Sequence, residues 1–266
     1  PKEQAGNLRP RLFRLVEEES ILNRMGFNGP GQEVVYQNIK SSKNHGLNLG
    51  INIGKNKITP NSSAIDDYIS LYERFSKVGN YLAINISSPN TPGLRELQKG
   101  TFLSDLLAQL NKINNGTTPL YLKIAPDLDD EQLKMILDLV RENNFSGIIA
   151  TNTTIMPEIG EGGVSGKLLA NKARLFREKI FEHLGDECSL DVIGVGGFSS
   201  MEDIWDFWKI GGKIVQVYTS FIFQGPELLR KIAFEIFLLQ KYFGVHSTEE
   251  LIELIHCENV SFPLNN

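Results

Sequence analysis

Short apolar, β-branched runs recur along the chain, each closing in small polar or glycine residues: 47–54 (LNLGINIG), 81–87 (YLAINIS), 120–126 (LYLKIAP), 147–152 (GIIATN), 191–197 (DVIGVGG) and 213–220 (KIVQVYTS). Runs apolar on both faces suit the strands of a buried parallel sheet. Between them apolar residues repeat at three- and four-residue steps: Ile65, Ile69, Tyr72 and Phe75; Phe102, Leu103, Leu106, Leu110 and Ile113; Leu133, Ile136, Leu137 and Val140. That period predicts helices covering the sheet. Asp129 and Asp130 stand where the third of these helices starts, and Ser199 with Glu202 has the spacing of a capping box before Ile204. Trp205 and Trp208 join Ile204 on what reads as a packing face.

Strand and helix alternating at this rhythm predict an α/β fold. About six such units are visible, whereas a closed β/α barrel has eight. Residues up to about Lys40 show no buried strand pattern. The expectation is therefore a (β/α)8 TIM barrel forming a single catalytic domain over residues 1–266, with its first two strand units lying before Pro1.

Polar residues collect where the predicted strands end, at Asn52, Asn85, Lys123, Thr151, Gly196 and Tyr218. This is the catalytic face of a β/α barrel and the ligand crevice of an open sheet. On the last two strands Gly196, Gly197, Tyr218 and Thr219 are candidates for a phosphate cradle, because glycine lets backbone N–H groups approach an anion and this is the barrel's usual phosphate position. Two tight turns without a ligand are the alternative. Lys123, flanked by Leu122 and Ile124, is either half of a structural salt bridge or a fixed cation aimed at a ligand that becomes negative in turnover. Any one of Asn23, Asn52, Asn85, Asn90 and Asn152 taken singly reads first as a turn or backbone cap; collected at strand ends on one face, their amides have the donors and acceptors to read a planar heterocycle.

Composition narrows the partners. The formal charge of −5 and the absence of a dense Lys/Arg tract leave no electrostatic footprint for nucleic acid. Cys188 and Cys257 stand far apart, and His45, His183, His246 and His256 have no paired spacing, which excludes a disulfide framework and gives no metal motif. No apolar run reaches the length of a membrane span.

The series GNLRPRLFRL, ILNRMGFN, GINIGKNK, NISSPNTPGLRELQ, LYLKIAPDL, ATNTT, GGVSGK, IGVGG and QVYTSFIFQGP, in order from about Gly6 to Pro226, resembles the class-two, quinone-linked dihydroorotate dehydrogenases. The resemblance implies an FMN-dependent barrel that oxidises (S)-dihydroorotate to orotate in pyrimidine biosynthesis and passes the electrons to a quinone. It implies Ser88 as the base, where class-one relatives have cysteine, with Thr91 and Phe27 flanking the proton's exit. Substrate contacts would come from Asn23, Arg24, Met25, Gly26, Phe27, Asn85, Asn90, Asn152 and Thr153. FMN contacts would come from Asn52, Asn85, Lys123, Thr151, Ser165, Gly166, Gly196, Gly197, Tyr218 and Thr219. Arg14 and Tyr218 would mark the quinone side, and no metal is implied. An N-terminal amphipathic segment, absent from these residues, would provide peripheral membrane association at the cytoplasmic face of a bacterial inner membrane or at the mitochondrial inner membrane. The chain departs from the pattern in a shorter segment before Gly162 and in Leu168, where the family has proline. Two other readings stand beside this one: an FMN barrel with a different electron acceptor, against which Ser88 argues, and a non-catalytic phosphate-binding scaffold.

Overall fold

The computed structural model describes residues 1–42, 46–90, 93–98, 100–185, 190–258 and 260–263. It opens with a hairpin of β1 (Leu12–Leu15) and β2 (Ser20–Asn23), followed by α1 (Gln32–Ser41). Strand and helix then alternate through β3 (Gly50–Ile53), α2 (Ala64–Phe75), β4 (Tyr81–Asn85), α3 (Gly100–Asn114), β5 (Leu120–Ile124), α4 (Asp130–Glu142) and β6 (Gly147–Ala150). After β7 (Gly163–Gly166) come α5 (Lys167–Leu184), β8 (Asp191–Val195), α6 (Met201–Lys209), β9 (Ile214–Gln216), α7 (Thr219–Gln224), α8 (Glu227–Phe243) and α9 (Thr248–Glu258).

Six strands form one sheet in the order β3-β4-β5-β6-β8-β9, every neighbouring pair parallel. Alternate side chains divide between two cores. Leu82, Ile84, Leu122, Ile124, Ile148 and Val192 pack into the large cluster built with the helices, while Ala83, Tyr121, Ile149 and Ile193 form a separate small cluster on the opposite face. On that inner face Gln216 Nε2 donates to Tyr81 Oη at 3.2 Å. Their strands, β9 and β4, are four places apart in the sheet. In a flat sheet that is roughly 19 Å at the ordinary strand spacing, so the sheet curls until its inner face closes on itself, as in a β/α barrel.

The sequence reading needs correction in four places. The first forty residues do hold a buried strand: Ser20, Ile21 and Leu22 of β2 are buried, and β2 pairs with both β1 and β7 in an antiparallel sheet. The outermost strands of the parallel sheet are shorter than their apolar runs and alternate or lie half open, with Leu47 outside β3 and Ile214 of β9 exposed. Helix α2 buries Ala64, Tyr68, Leu71, Tyr72 and Phe75, a face turned slightly from the expected one, and Ile113 of α3 is exposed. Finally, the capping box of α6 is Ser200 with Asp203, one residue later than expected, Ser199 adding a second hydroxyl to the same carboxylate. Asp129 caps α4, and Trp205 and Trp208 are buried.

Candidate active site

The carboxyl ends of the parallel strands open into a cavity of about 740 Å³, within the range of small-molecule sites. Its roof is β7, which leaves the main sheet after β6 and pairs with β2, so that Asn23 lies opposite Gly163 and Ser20 opposite Gly166. Of the residues singled out from sequence, the cavity wall contains Asn23, Met25, Phe27, Lys123, Asn152 and Thr153. Thr151, Ser165, Gly166, Gly196, Gly197, Tyr218 and Thr219 line it as well.

Lys123 is the penultimate residue of β5, and its ammonium has no hydrogen-bond or ion-pair partner among the described residues. Burial lowers its pKa, because nothing in the protein replaces the water it has lost. The structural salt bridge is therefore not how this lysine is held. It faces the cavity instead.

The asparagines connect to each other. Asn85 donates to Asn52 Oδ1 at 3.2 Å, Asn152 donates to Ser87 Oγ at 3.0 Å and lies 3.4 Å from Asn85 Oδ1, and Asn90 donates to Asn23 Oδ1 at 2.9 Å. These bonds span the ends of β2, β3, β4 and β6. Ser88 is 8% exposed and sits behind this amide rim, its Oγ accepting the Asn90 N–H at 3.3 Å. Asn52, Asn85, Ser88 and Asn90 adjoin the cavity through this network without lining its wall. Thr91 lies outside the described residues.

The loop after β2 is held from outside by the chain's first residues. Gln4 donates to the Phe27 carbonyl at 2.7 Å, fixing Phe27 at a φ of 51°, and Asn7 donates to the Arg24 carbonyl at 2.9 Å. Arg24 itself turns away from the cavity to Glu161 and the Pro10 carbonyl. Gly26, in the same loop, is buried against Asn7. Leu12, Val16 and Phe223 add apolar groups to the cavity lining, together with Tyr218, which is 66% exposed. Arg14 donates to the Ile222 carbonyl at 3.0 Å and lies over the Phe223 ring.

At the phosphate candidate, Gly197 packs so closely on the backbone of Ala170 that a Cβ has no room, and its φ is 85°. Behind it stands Arg177 of α5, which the sequence reading missed because a mid-helix arginine looks like a solvated one. It is 4% exposed and donates to the carbonyls of Val195 and Gly196, each at 3.1 Å, with its guanidinium 4.4 Å from the Phe198 ring centre. Burial pulls its pKa down to about 10. A trans peptide sets N–H opposite C=O, so anchoring these two carbonyls turns the N–H groups of Gly196 and Gly197 away from Arg177. Ser165 and Thr219 share a hydroxyl hydrogen bond of 2.8 Å nearby. An unpartnered cation, a paired-amide rim and a glycine turn closed to a side chain at Gly197 thus meet around one cavity.

The family model described as dihydroorotate dehydrogenase matches residues 1–238. A protein of Idiomarina loihiensis named dihydroorotate dehydrogenase (quinone) is 46% identical over 246 residues, covering 87% of this chain and 73% of that protein. The protein of the same name from Thermus thermophilus is 40% identical over 261 residues, covering 94% and 74%. The crystal structure of DHODH from Eimeria tenella in complex with ferulenol superposes with a TM-score of 0.84 at 31% identity, over 97% of this chain and 77% of that one.

Proposed function

This chain belongs to the dihydroorotate dehydrogenase family, and from that premise we propose that it is the flavin enzyme that oxidises (S)-dihydroorotate to orotate, with a quinone as electron acceptor, in the making of pyrimidines. The observation that carries the reading is the meeting at one cavity of the unpartnered Lys123 ammonium, the Asn152–Thr153 rim and the Gly196–Gly197 turn. We take the flavin to be FMN, whose terminal phosphate would lie at the glycine turn, where the bracing of two carbonyls by Arg177 turns the Gly196 and Gly197 N–H groups away from that side chain.

A flavin held beside Lys123 and the Gly196–Gly197 turn would supply hydride acceptance from the substrate's C6 and two-electron transfer to the quinone. The chain's own groups do the rest. Asn23, Asn90 and Asn152 have the mixed donors and acceptors to hold the pyrimidine ring; the bond of Asn90 to Asn23 and that of Asn152 to Ser87 hold the three in place. Ser88 receives the C5 proton. A hydroxyl is a weak base, so the proton must pass on, by a route that Phe27 of the cavity wall would flank. Thr151, Ser165, Gly166, Gly197, Tyr218 and Thr219 of the cavity wall would hold the cofactor, with Asn52 and Asn85 bracing the amide rim behind Asn152. Lys123 would supply positive charge to a bound flavin, favouring any form of it that carries negative charge. The apolar groups of Leu12, Val16 and Phe223 in the cavity lining, with Arg14 and Tyr218, suit entry of a lipid-soluble quinone. Among the described residues no helix is long and apolar enough to cross a membrane. A lipid-soluble acceptor implies peripheral association with a membrane, a bacterial or mitochondrial inner membrane in this proposal.

The test is anaerobic mixing of the purified full-length protein with dihydroorotate. Bleaching of its flavin, appearance of orotate and recovery of the colour on adding a ubiquinone analogue are expected. A flavin that dihydroorotate leaves oxidised would overturn the reading.

A further inference from the structure

On the flank of the cavity, one guanidinium links three loops that the reaction needs. Arg95 opens a single 3₁₀ turn, Arg95–Gln98, a few residues beyond Ser88. Its Nε donates to the Ser87 carbonyl at 3.1 Å, its Nη2 to the Thr153 carbonyl at 2.8 Å, and its Nη1 to Asp127 Oδ2 at 2.8 Å. The other oxygen of Asp127 accepts from Thr154 Oγ1 at 2.6 Å and from Lys172 of α5, which also donates to Thr154 at 2.9 Å.

The three acceptors of Arg95 follow β4, β5 and β6, and those strands lead to Ser88, Lys123 and Asn152 respectively. A guanidinium has planar, rigidly oriented donors, so satisfying all three fixes the loops relative to one another. Burial alone would raise the Asp127 carboxyl, but hydrogen bonds from Lys172 and Thr154 and the charge of Arg95 hold it below the ordinary carboxylate range. The anchor therefore stays ionised at neutral pH. Exposed pairs elsewhere, such as Lys179 with Asp130, join only surface side chains and contribute little.

We propose that Arg95 is a positioning residue for the oxidation half-reaction, setting the separation between the serine loop and the Asn152–Thr153 rim so that base and substrate ring meet in register. It touches neither substrate nor cofactor in this role, and the inference rests on the functional reading above. Displacement of a base by about 1 Å is enough to slow such a step roughly 10²-fold.

The experiment uses full-length, flavin-loaded protein carrying Arg95→Lys or Arg95→Met. Lysine keeps the charge opposite Asp127 but has one nitrogen, which cannot replace a fork to two carbonyls on different loops. Reduction of the flavin by dihydroorotate, with and without deuterium at C5, is followed by anaerobic stopped flow, and reoxidation by quinone is followed separately. Both variants are expected to slow reduction about 10- to 100-fold and to enlarge the C5 isotope effect, while quinone reoxidation and flavin content stay within about twofold of the parent. Parental reduction in Arg95→Lys, or equal losses in both half-reactions, would overturn the inference and leave the functional reading standing. A parent protein that dihydroorotate does not reduce would sink both. Should Arg95→Met fail to fold, Arg95→Lys alone decides.

Discussion

At Lys123 the protein places an ammonium against a cavity without any protein acceptor among the described residues, and that choice weakens the apoprotein. The folded-state pKa lies below the ordinary lysine value, so the unfolded chain binds more protons between the two and apoprotein stability rises with pH across that window. Lys123→Met is expected to stabilise the flavin-free protein by about 1–3 kcal/mol in urea unfolding at neutral pH, and to move the flavin midpoint potential of the loaded protein to a more negative value. Unchanged values of both would mean the ammonium is neither strained nor aimed at the ring. Ser88→Ala is expected to retain flavin and slow its reduction by dihydroorotate about 10²- to 10⁴-fold, read by stopped flow. The positions of Lys123, Asn152 and Gly196 were legible in the chain because each is a polar or glycine residue ending an apolar run. Arg95 and Arg177 were not, since a charged residue in a helical or loop context carries no sign of what it bonds to across the fold.

Helix α5 and strand β8 act as one device through Arg177, whose two hydrogen bonds fix the glycine turn from behind. Arg177→Met is expected to lower FMN affinity about tenfold or more, as losing hydrogen bonds from a charged donor should, while riboflavin, which lacks the phosphate, binds as to the parent. Fluorescence titration of the flavin-free protein with each ligand distinguishes this from general damage, which would weaken both alike. The six parallel strands were readable from their runs, but their outer two were overextended: Tyr218 and Thr219 continue the apolar pattern of β9 yet already belong to the turn and start of α7. The β1–β2 hairpin was missed for the opposite reason. Each strand has only four residues, Ser20 is a buried polar member, and neither strand is long enough to show a period. The cap of α6 moved by one residue because adjacent serines, Ser199 and Ser200, both reach Asp203.

Across the whole molecule, the curled parallel sheet has β3 and β9 as its edges among the described residues, and Ile214 on β9 is 51% exposed. Unpaired edges with apolar side chains invite pairing between copies. A polypeptide of just these 266 residues is expected to self-associate at micromolar concentration, and Ile214→Lys to reduce that association, as followed by sedimentation velocity. A monodisperse parent would show that the edges are adequately blunted. The antiparallel pair of β2 with β7 has a different reach: it joins Ser20 to Gly166, whereas neighbours in the parallel sheet are mostly one strand-helix unit apart. During synthesis, then, the strand units can collapse in the order they leave the ribosome, but β2 must wait for β7. A nascent chain halted just before Gly163 would hold Asn23, Ser88, Lys123 and Asn152 and still have no roof over them. The pocket is therefore a late product of translation, closed by a segment made long after the hairpin it completes.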